Sequence, residues 1–337
     1  MLARLLFNRI EKSVASPVAH DQGRCLRRRL SANTCSRCLD ICKQGALTTQ
    51  DRELLFSEDK CTGCMACVAE CPNDAFSCGF DLDSLLSRIR AAQEEQPVIL
   101  GCKKCADHES MLFVPCLGLL SEPLLAALHS VAPGACFLDV RHCADCVNGS
   151  VLGVLTERLQ GIVKKIGAAA DLKIRYLFAD TLPQKTTEQQ RRFFLHFLQK
   201  EVSAFGREMM TDTSGPHGQR DTMPEGDSRK KGATRKIRLL LDALSMQPGE
   251  TKETKNLLLS YFYTLDASVA CDLCPSCTGM CPTGALKRRT TENGKKQLAF
   301  ISAQCSGCGL CIEFCKKKAL SMRAFSGNEP ATTLFIA

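Results

Sequence analysis

Residues 271–282 read Cys271-Asp272-Leu273-Cys274-Pro275-Ser276-Cys277-Thr278-Gly279-Met280-Cys281-Pro282, and residues 305–315 repeat the spacing as Cys305-x2-Cys308-x2-Cys311-x3-Cys315. The same run occurs near the start of the chain as Cys61-x2-Cys64-x2-Cys67-x3-Cys71-Pro72, preceded by the shorter Cys35-x2-Cys38-x3-Cys42. Where a first cysteine of that shorter run would stand, the chain has Ala32. The repeat extends past the thiols. Four residues after each last cysteine comes an alanine and then an apolar residue: Ala46-Leu47, Ala75-Phe76, Ala285-Leu286 and Ala319-Leu320. Three cysteines at x2 intervals on a tight loop can grip three metal atoms of one polynuclear centre, while the following turn carries the fourth toward a second centre. Between the paired runs, Leu47–Ser57 and Leu286–Ser302 are short mixed stretches, the second with a Glu292-Asn293-Gly294 turn signal, and both predict small hairpins.

Composition sets the bounds around these runs. A chain of 337 residues is long enough for two or three small domains, and its twenty-three cysteines lie in tight runs rather than being spread along it. A disulfide scaffold fits badly, because Arg4, Arg9, Glu11 and Lys12 interrupt the apolar residues that a secretion signal would need at the N-terminus. No window approaches the eighteen apolar residues of a membrane span, so the sequence predicts a cytoplasmic protein without a membrane span. In that reducing compartment thiols serve metals or catalysis.

On these motifs, the segments Cys25–Phe80 and Cys271–Met322 resemble the bacterial two-[4Fe–4S] ferredoxin family, over about a third of the chain. The resemblance implies crossed ligation, in which the last cysteine of each run serves the partner cluster. Cys271, Cys274, Cys277 and Cys315 would hold one [4Fe–4S] cluster, and Cys305, Cys308, Cys311 and Cys281 another. Near the N-terminus, Cys61, Cys64, Cys67 and Cys42 would hold a third, leaving Cys35, Cys38 and Cys71 for the fourth. Cys25 is the candidate for the missing ligand, since Leu26–Thr34 is long enough to fold back; a three-iron cluster at the gap and Cys78 are the alternatives. Zinc sites pair two Cys-x2-Cys units and have no need of the Cys-Pro run. Haem is disfavoured because no Cys-x2-Cys is followed by His. The formal charge of +8 counts every cysteine as neutral. Each cubane with four thiolates brings about −2, so the loaded chain is close to neutral and nucleic-acid binding is not expected.

From Pro97 the pattern changes to short apolar runs, 97–100, 111–114, 136–140 and 174–178, separated by helical patterns at Glu122–Val131 and Val151–Ile166. This predicts a small parallel-sheet α/β layer. Three of its strands end in cysteine, and the carboxyl edge of an open α/β sheet is where ligands collect, so Cys102, Cys105, Cys116, Cys143 and Cys146 are expected to converge as a possible fifth centre. The motifs Gly101-Cys102-Lys103-Lys104-Cys105, Val114-Pro115-Cys116-Leu117-Gly118 and His142-Cys143-Ala144-Asp145-Cys146 resemble the iron–sulfur delta subunit of methyl-viologen-reducing hydrogenases. That resemblance implies a [2Fe–2S] cluster and electron exchange with a hydrogenase, another dehydrogenase or a heterodisulfide-reductase-like partner. The continuation Val147-Asn148-Gly149-Ser150 departs from the family pattern. Zinc, a redox-active Cys102–Cys105 dithiol, and Rieske-type ligation by His108 or His142 are the other readings of this site. Cys136, at the start of its strand, reads as core.

The expected architecture is α+β and multidomain: two ferredoxin-like dicluster modules flanking a small α/β parallel-sheet domain. Its boundaries are a leader helix over 1–24, a dicluster module over 25–80, the α/β cysteine domain over 81–180, a helical and disordered linker over 181–256, and a second dicluster module over 257–337. Within the linker, 189–198 and Ile237–Met246 read as helices and Thr211–Lys236 as a tether; whether the modules move apart or are clamped stays open. The sequence favours an electron-transfer subunit of an oxidoreductase complex with redox-protein partners. Gly-x-Gly-x2-Gly after a strand, a flavin signature and a Ser/His/Asp constellation are all missing. A thiol or disulfide reductase using the middle site, and a redox-sensing regulator, are the alternatives.

Overall fold

The computed structural model describes residues 17–51, 53–92, 97–102, 112–167, 171–178, 231–246, 251–290 and 296–325, together with the backbone of 334–336. In the N-terminal module, β1 (Ala19–His20) precedes α1 (Leu26–Arg29), α2 (Arg37–Ile41), the antiparallel hairpin β2 (Leu47–Gln50) and β3 (Glu53–Phe56), α3 (Ala66–Glu70) and β4 (Phe76–Ser77). The leader expected as a helix over 1–24 is described only from residue 17, and that part is the strand β1 followed by a 3₁₀ turn at Gln22–Arg24. Extended backbone wins because β1 pairs with β4, the His20 ring stacks on Phe76 at 4.5 Å, and Asp21 N–H donates to the Ala75 carbonyl. Residues 17–24 are therefore part of the ferredoxin-like module.

The second unit is built on α4 (Leu82–Arg90), capped by the Asp81 carboxylate, then β5 (Val98–Cys102), β6 (Leu112–Val114), α5 (Glu122–Val131), β7 (Cys136–Asp139), α6 (Val151–Ile166) and β8 (Ile174–Leu177). Its strands form one parallel sheet in the order β6-β5-β7-β8. Alternation along the strands sends Leu100, Leu138 and Tyr176 into the main core, while Ile99, Phe137 and Leu177 make a small cluster on the other face. Cys136 is fully enclosed at the start of β7. The Ser121 hydroxyl caps α5 by accepting from Leu124 N–H.

Two helices, α7 (Arg235–Ser245) and α8 (Lys252–Leu259), pack on α5, and α8 also on α6. The tether expected to run through Lys236 therefore ends earlier, because the Leu239, Leu240 and Ala243 face is buried in the main core and extends the helix back to Arg235. The 189–198 helix expectation and most of the tether fall outside the described residues. Tyr261 anchors the next segment: its hydroxyl donates to Glu122 Oε1 at 2.9 Å, Lys165 pairs with the same carboxylate, and the Lys165 ammonium sits 4.2 Å from the Tyr261 ring centre. Among the described residues, α7 and α8 are clamped to the α/β unit.

The C-terminal module repeats the first. The strand β9 (Tyr263–Ala267) pairs antiparallel with β12 (Leu320–Ala324), enclosing α9 (Ser276–Met280), the hairpin β10 (Leu286–Thr290) and β11 (Lys296–Phe300), and α10 (Leu310–Glu313). A final strand, β13 (Leu334–Ile336), joins the free edge of β11. This module has its own core, in which Leu265, Leu298, Phe300 and Leu320 pack with Cys277, Cys281, Cys305 and Cys311.

The fourfold sequence repeat has a backbone counterpart. The residue before each repeat alanine is left-handed: Gly45 (φ 60°), Asp74 (φ 51°), Gly284 (φ 72°) and Lys318 (φ 48°). Each of these turns ends its cysteine run and buries the alanine behind it.

Candidate metal centres

Crowding of the thiols defines the sites. Burial first, and then the neighbouring thiols of Cys71, Cys35 and Cys25, push Cys38 up to about 12. Cys25 is delivered by the local structure of its segment: α1 turns the chain, Asn73 Nδ2 donates to the Arg24 carbonyl, and Arg27 Nε donates to the Cys35 carbonyl. Cys67 is raised by burial and then by Cys64, Cys61, Cys42 and Cys38, so the second group borders the first. Cys38 thus neighbours Cys25, Cys35 and Cys71, and Cys67 neighbours Cys42, Cys61 and Cys64. Cys78 is half-buried against the main core and is not among the neighbours of Cys38.

The C-terminal thiols are crowded in the same manner. Cys311 is pushed up to about 12 by burial and then by Cys308, Cys305, Cys281 and Cys277, and Cys277 to about 11 by burial, Cys274 and Cys271. Cys315 lines the same apolar core.

Backbone N–H groups converge on the sulfurs. Ala75 N–H donates to Cys71 Sγ at 3.2 Å and Ala319 N–H to Cys315 Sγ at 3.4 Å, which gives two of the repeat alanines a function that side-chain reading misses. Gly307 N–H does the same for Cys305 at 3.4 Å. Desolvated thiols are costly as thiolates, and iron charge together with N–H donors supplies the compensation. Soft thiolate donors that accept backbone N–H groups are the donor type an iron–sulfur cube takes. Among the described residues, no three His, Cys, Asp or Glu side chains gather tightly enough for one metal ion.

At the carboxyl edge of the sheet, Cys116 is pushed up to about 11 by burial and then by Cys64, Cys102 and Cys146. Cys102 closes β5, and Cys143 and Cys146 lie on the loop after β7, where Cys146 N–H donates to the Cys143 carbonyl. A buried bidentate pair orients this loop: Arg141 Nε reaches Asp139 Oδ1 at 3.0 Å and Nη2 reaches Oδ2 at 2.7 Å. Asn148 N–H donates to Cys146 Sγ at 3.5 Å. His142 is exposed, while Cys105 and His108 fall outside the described residues.

The sheet edge lies directly against the N-terminal module. A Cβ at Gly118 would stand 2.2 Å from the Cys64 carbonyl oxygen, so only glycine permits the approach. Asn148 and Thr62 exchange two hydrogen bonds, at 2.6 and 3.2 Å, and Gln44 Nε2 donates to the Val147 carbonyl. Arg158 of α6 donates to the Gly118 and Leu120 carbonyls and pairs with Glu70 of α3 at 2.6 Å. On the opposite flank, Lys236 of α7, its stem half-buried and its ammonium enclosed, donates to the Cys71 carbonyl at 2.8 Å, and Arg235 N–H donates to Asp74 Oδ2 at 2.6 Å. The two ferredoxin-like modules meet where Asn33 Nδ2 donates to Glu313 Oε2.

Comparison with known proteins agrees with this picture at both ends. Residues 54–77 match the 4Fe-4S binding domain family and residues 270–319 the 4Fe-4S dicluster domain family. No curated protein and no solved structure matches the chain. Among the described residues no helix is long and apolar enough to cross a membrane. The two family matches, one at each end, mark an iron–sulfur electron-transfer protein.

Proposed function

We propose that the chain is a cytoplasmic electron-relay subunit carrying four [4Fe–4S] clusters and a fifth cysteine-ligated centre, within an oxidoreductase complex of hydrogenase or heterodisulfide-reductase type. The ligand sets are Cys25, Cys35, Cys38 and Cys71; Cys42, Cys61, Cys64 and Cys67; Cys271, Cys274, Cys277 and Cys315; and Cys281, Cys305, Cys308 and Cys311. The fifth set draws on Cys102, Cys105, Cys116, Cys143 and Cys146 and takes a [2Fe–2S] cluster or zinc. Iron–sulfur clusters supply one-electron transfer without proton or bond rearrangement at the protein.

The observation that carries the reading is the continuity of thiol neighbourhoods. Cys116 of the middle site neighbours Cys64, Cys67 of that second group neighbours Cys38 of the first, and Cys311 neighbours Cys277 across the C-terminal pair. This chain's own residues hold the sulfurs, aim N–H donors at them and exclude water. The test is iron, acid-labile sulfide and zinc per chain on anaerobically purified protein. About eighteen irons with matching sulfide supports four cubanes plus a [2Fe–2S] centre; about sixteen with one zinc makes the middle site structural; far fewer irons with several zincs removes the proposal.

A further inference from the structure

Resting on that reading, we propose that the C-terminal module is the docking end of the molecule, and that its basic rim receives an acidic one-electron carrier protein.

The two modules differ in how they are covered. Beside the N-terminal thiols, Gly118 closes on Cys64 and Lys236 on Cys71. At the other end, Cys274 is the one exposed thiol among the described cysteines, and fully exposed Val269 stands on the same loop. An apolar tip beside an accessible centre is what a small transient interface needs at its middle.

Charge supplies the rim. Residues 25–80 hold seven Lys and Arg against seven Asp and Glu, whereas residues 257–325 hold nine against four. Lys287, Arg288 and Lys296 on the hairpin and Lys316, Lys317 and Lys318 after Cys315 are all exposed. Lys317 pairs with Asp272 at 3.0 Å, which ties the lysine run to the loop bearing Cys271 and Cys274. With about −2 added per loaded cluster, the N-terminal module is clearly negative, while the C-terminal one stays close to neutral, with the exposed lysine run at 316–318 beside the loop of Cys271 and Cys274. An acidic carrier is thus steered to the C-terminal end and repelled from the other. One electron passes from the reduced carrier to the oxidised chain, or back, and no bond is made or broken.

The experiment is binding of the cluster-loaded chain to a plant-type [2Fe–2S] ferredoxin, an acidic carrier, measured by calorimetry under anaerobic conditions, with basic cytochrome c and a short DNA duplex alongside. Expected are affinity for the ferredoxin that falls about tenfold or more from low to physiological ionic strength, no cytochrome c binding, and DNA binding weaker than carrier binding. Lys316→Glu/Lys317→Glu and, separately, Lys287→Glu/Arg288→Glu should each weaken binding about tenfold with iron content intact. Salt-independent affinity, cytochrome c binding as tight as the ferredoxin, tighter DNA binding, or wild-type affinity in both variants overturns the proposal. With iron present, any of these leaves the electron-carrier reading standing; a chain purified without iron removes both.

Discussion

The two ferredoxin-like modules share one backbone plan and differ in what surrounds it. In the C-terminal module both cysteine runs are regular, the core is its own, and the surface is basic and open. In the N-terminal module one run is irregular, and the core merges with that of the α/β unit and of helices that follow it in the chain. The difference teaches that a compact cluster-binding repeat can be stabilised in two ways, by its own interior or by neighbouring elements that close over it.

The largest effect should come from the irregular run. Cys25→Ser is expected to remove about four irons per chain, and Cys78→Ser none. If Cys25→Ser keeps full iron content, the fold-back ligand is not Cys25 and the two modules differ in another way.

Arg158 carries much of the enclosure, since its guanidinium satisfies two carbonyls of the sheet-edge loop and a carboxylate of α3. Arg158→Met should cost about 3 kcal/mol in denaturant unfolding and expose the Cys64 loop to hydrogen exchange, because it strands those acceptors. The C-terminal module should keep its protection; equal loss in both modules would mean they unfold as one unit and would break the comparison.

Glycine to alanine changes should have opposite signs at the sheet edge that covers the N-terminal module and in the C-terminal module. At Gly118 the new methyl meets the Cys64 carbonyl, at a cost of about 1–3 kcal/mol. At exposed Gly279 in α9 nothing lies within 4 Å, so alanine should stabilise by up to about 1 kcal/mol through helix propensity. Thermal unfolding of the pair decides this, and a stabilising Gly118→Ala would show that the sheet edge does not press on the module.

The smallest effect concerns the left-handed turns. Lys318→Gly should gain about 1 kcal/mol by relieving a positive φ. The same change at Asp74 should gain nothing or lose stability, because its carboxylate accepts from Arg235 N–H. Equal gains at both sites would show that α7 contributes little there.

Much of this fold was readable from spacing. Cys-x2-Cys-x2-Cys-x3-Cys, the alanine behind each run, both hairpins and the four parallel strands are all encoded within a few residues of themselves. At the sheet edge the parallel strands place Cys116 near Cys102 and Cys146, while Cys105 falls outside the described residues. What spacing could not show are pairings between residues remote in sequence: Gly118 against Cys64, Asn148 with Thr62, Lys236 on Cys71, and Asn33 on Glu313. Gly118 within Cys116-Leu117-Gly118 is a local hint of close approach, but nothing nearby says what approaches. Over residues 17–24 the expected leader helix gives way for a related reason, strand pairing to Phe76–Ser77.

The grip of Lys236 on the Cys71 carbonyl spans 165 residues of chain. At ribosomal speeds of about 5–20 residues per second, the N-terminal module exists for roughly ten to thirty seconds before the helix that closes it has been made. During that interval the Cys71 carbonyl is without the cover that α7 gives it in the finished chain.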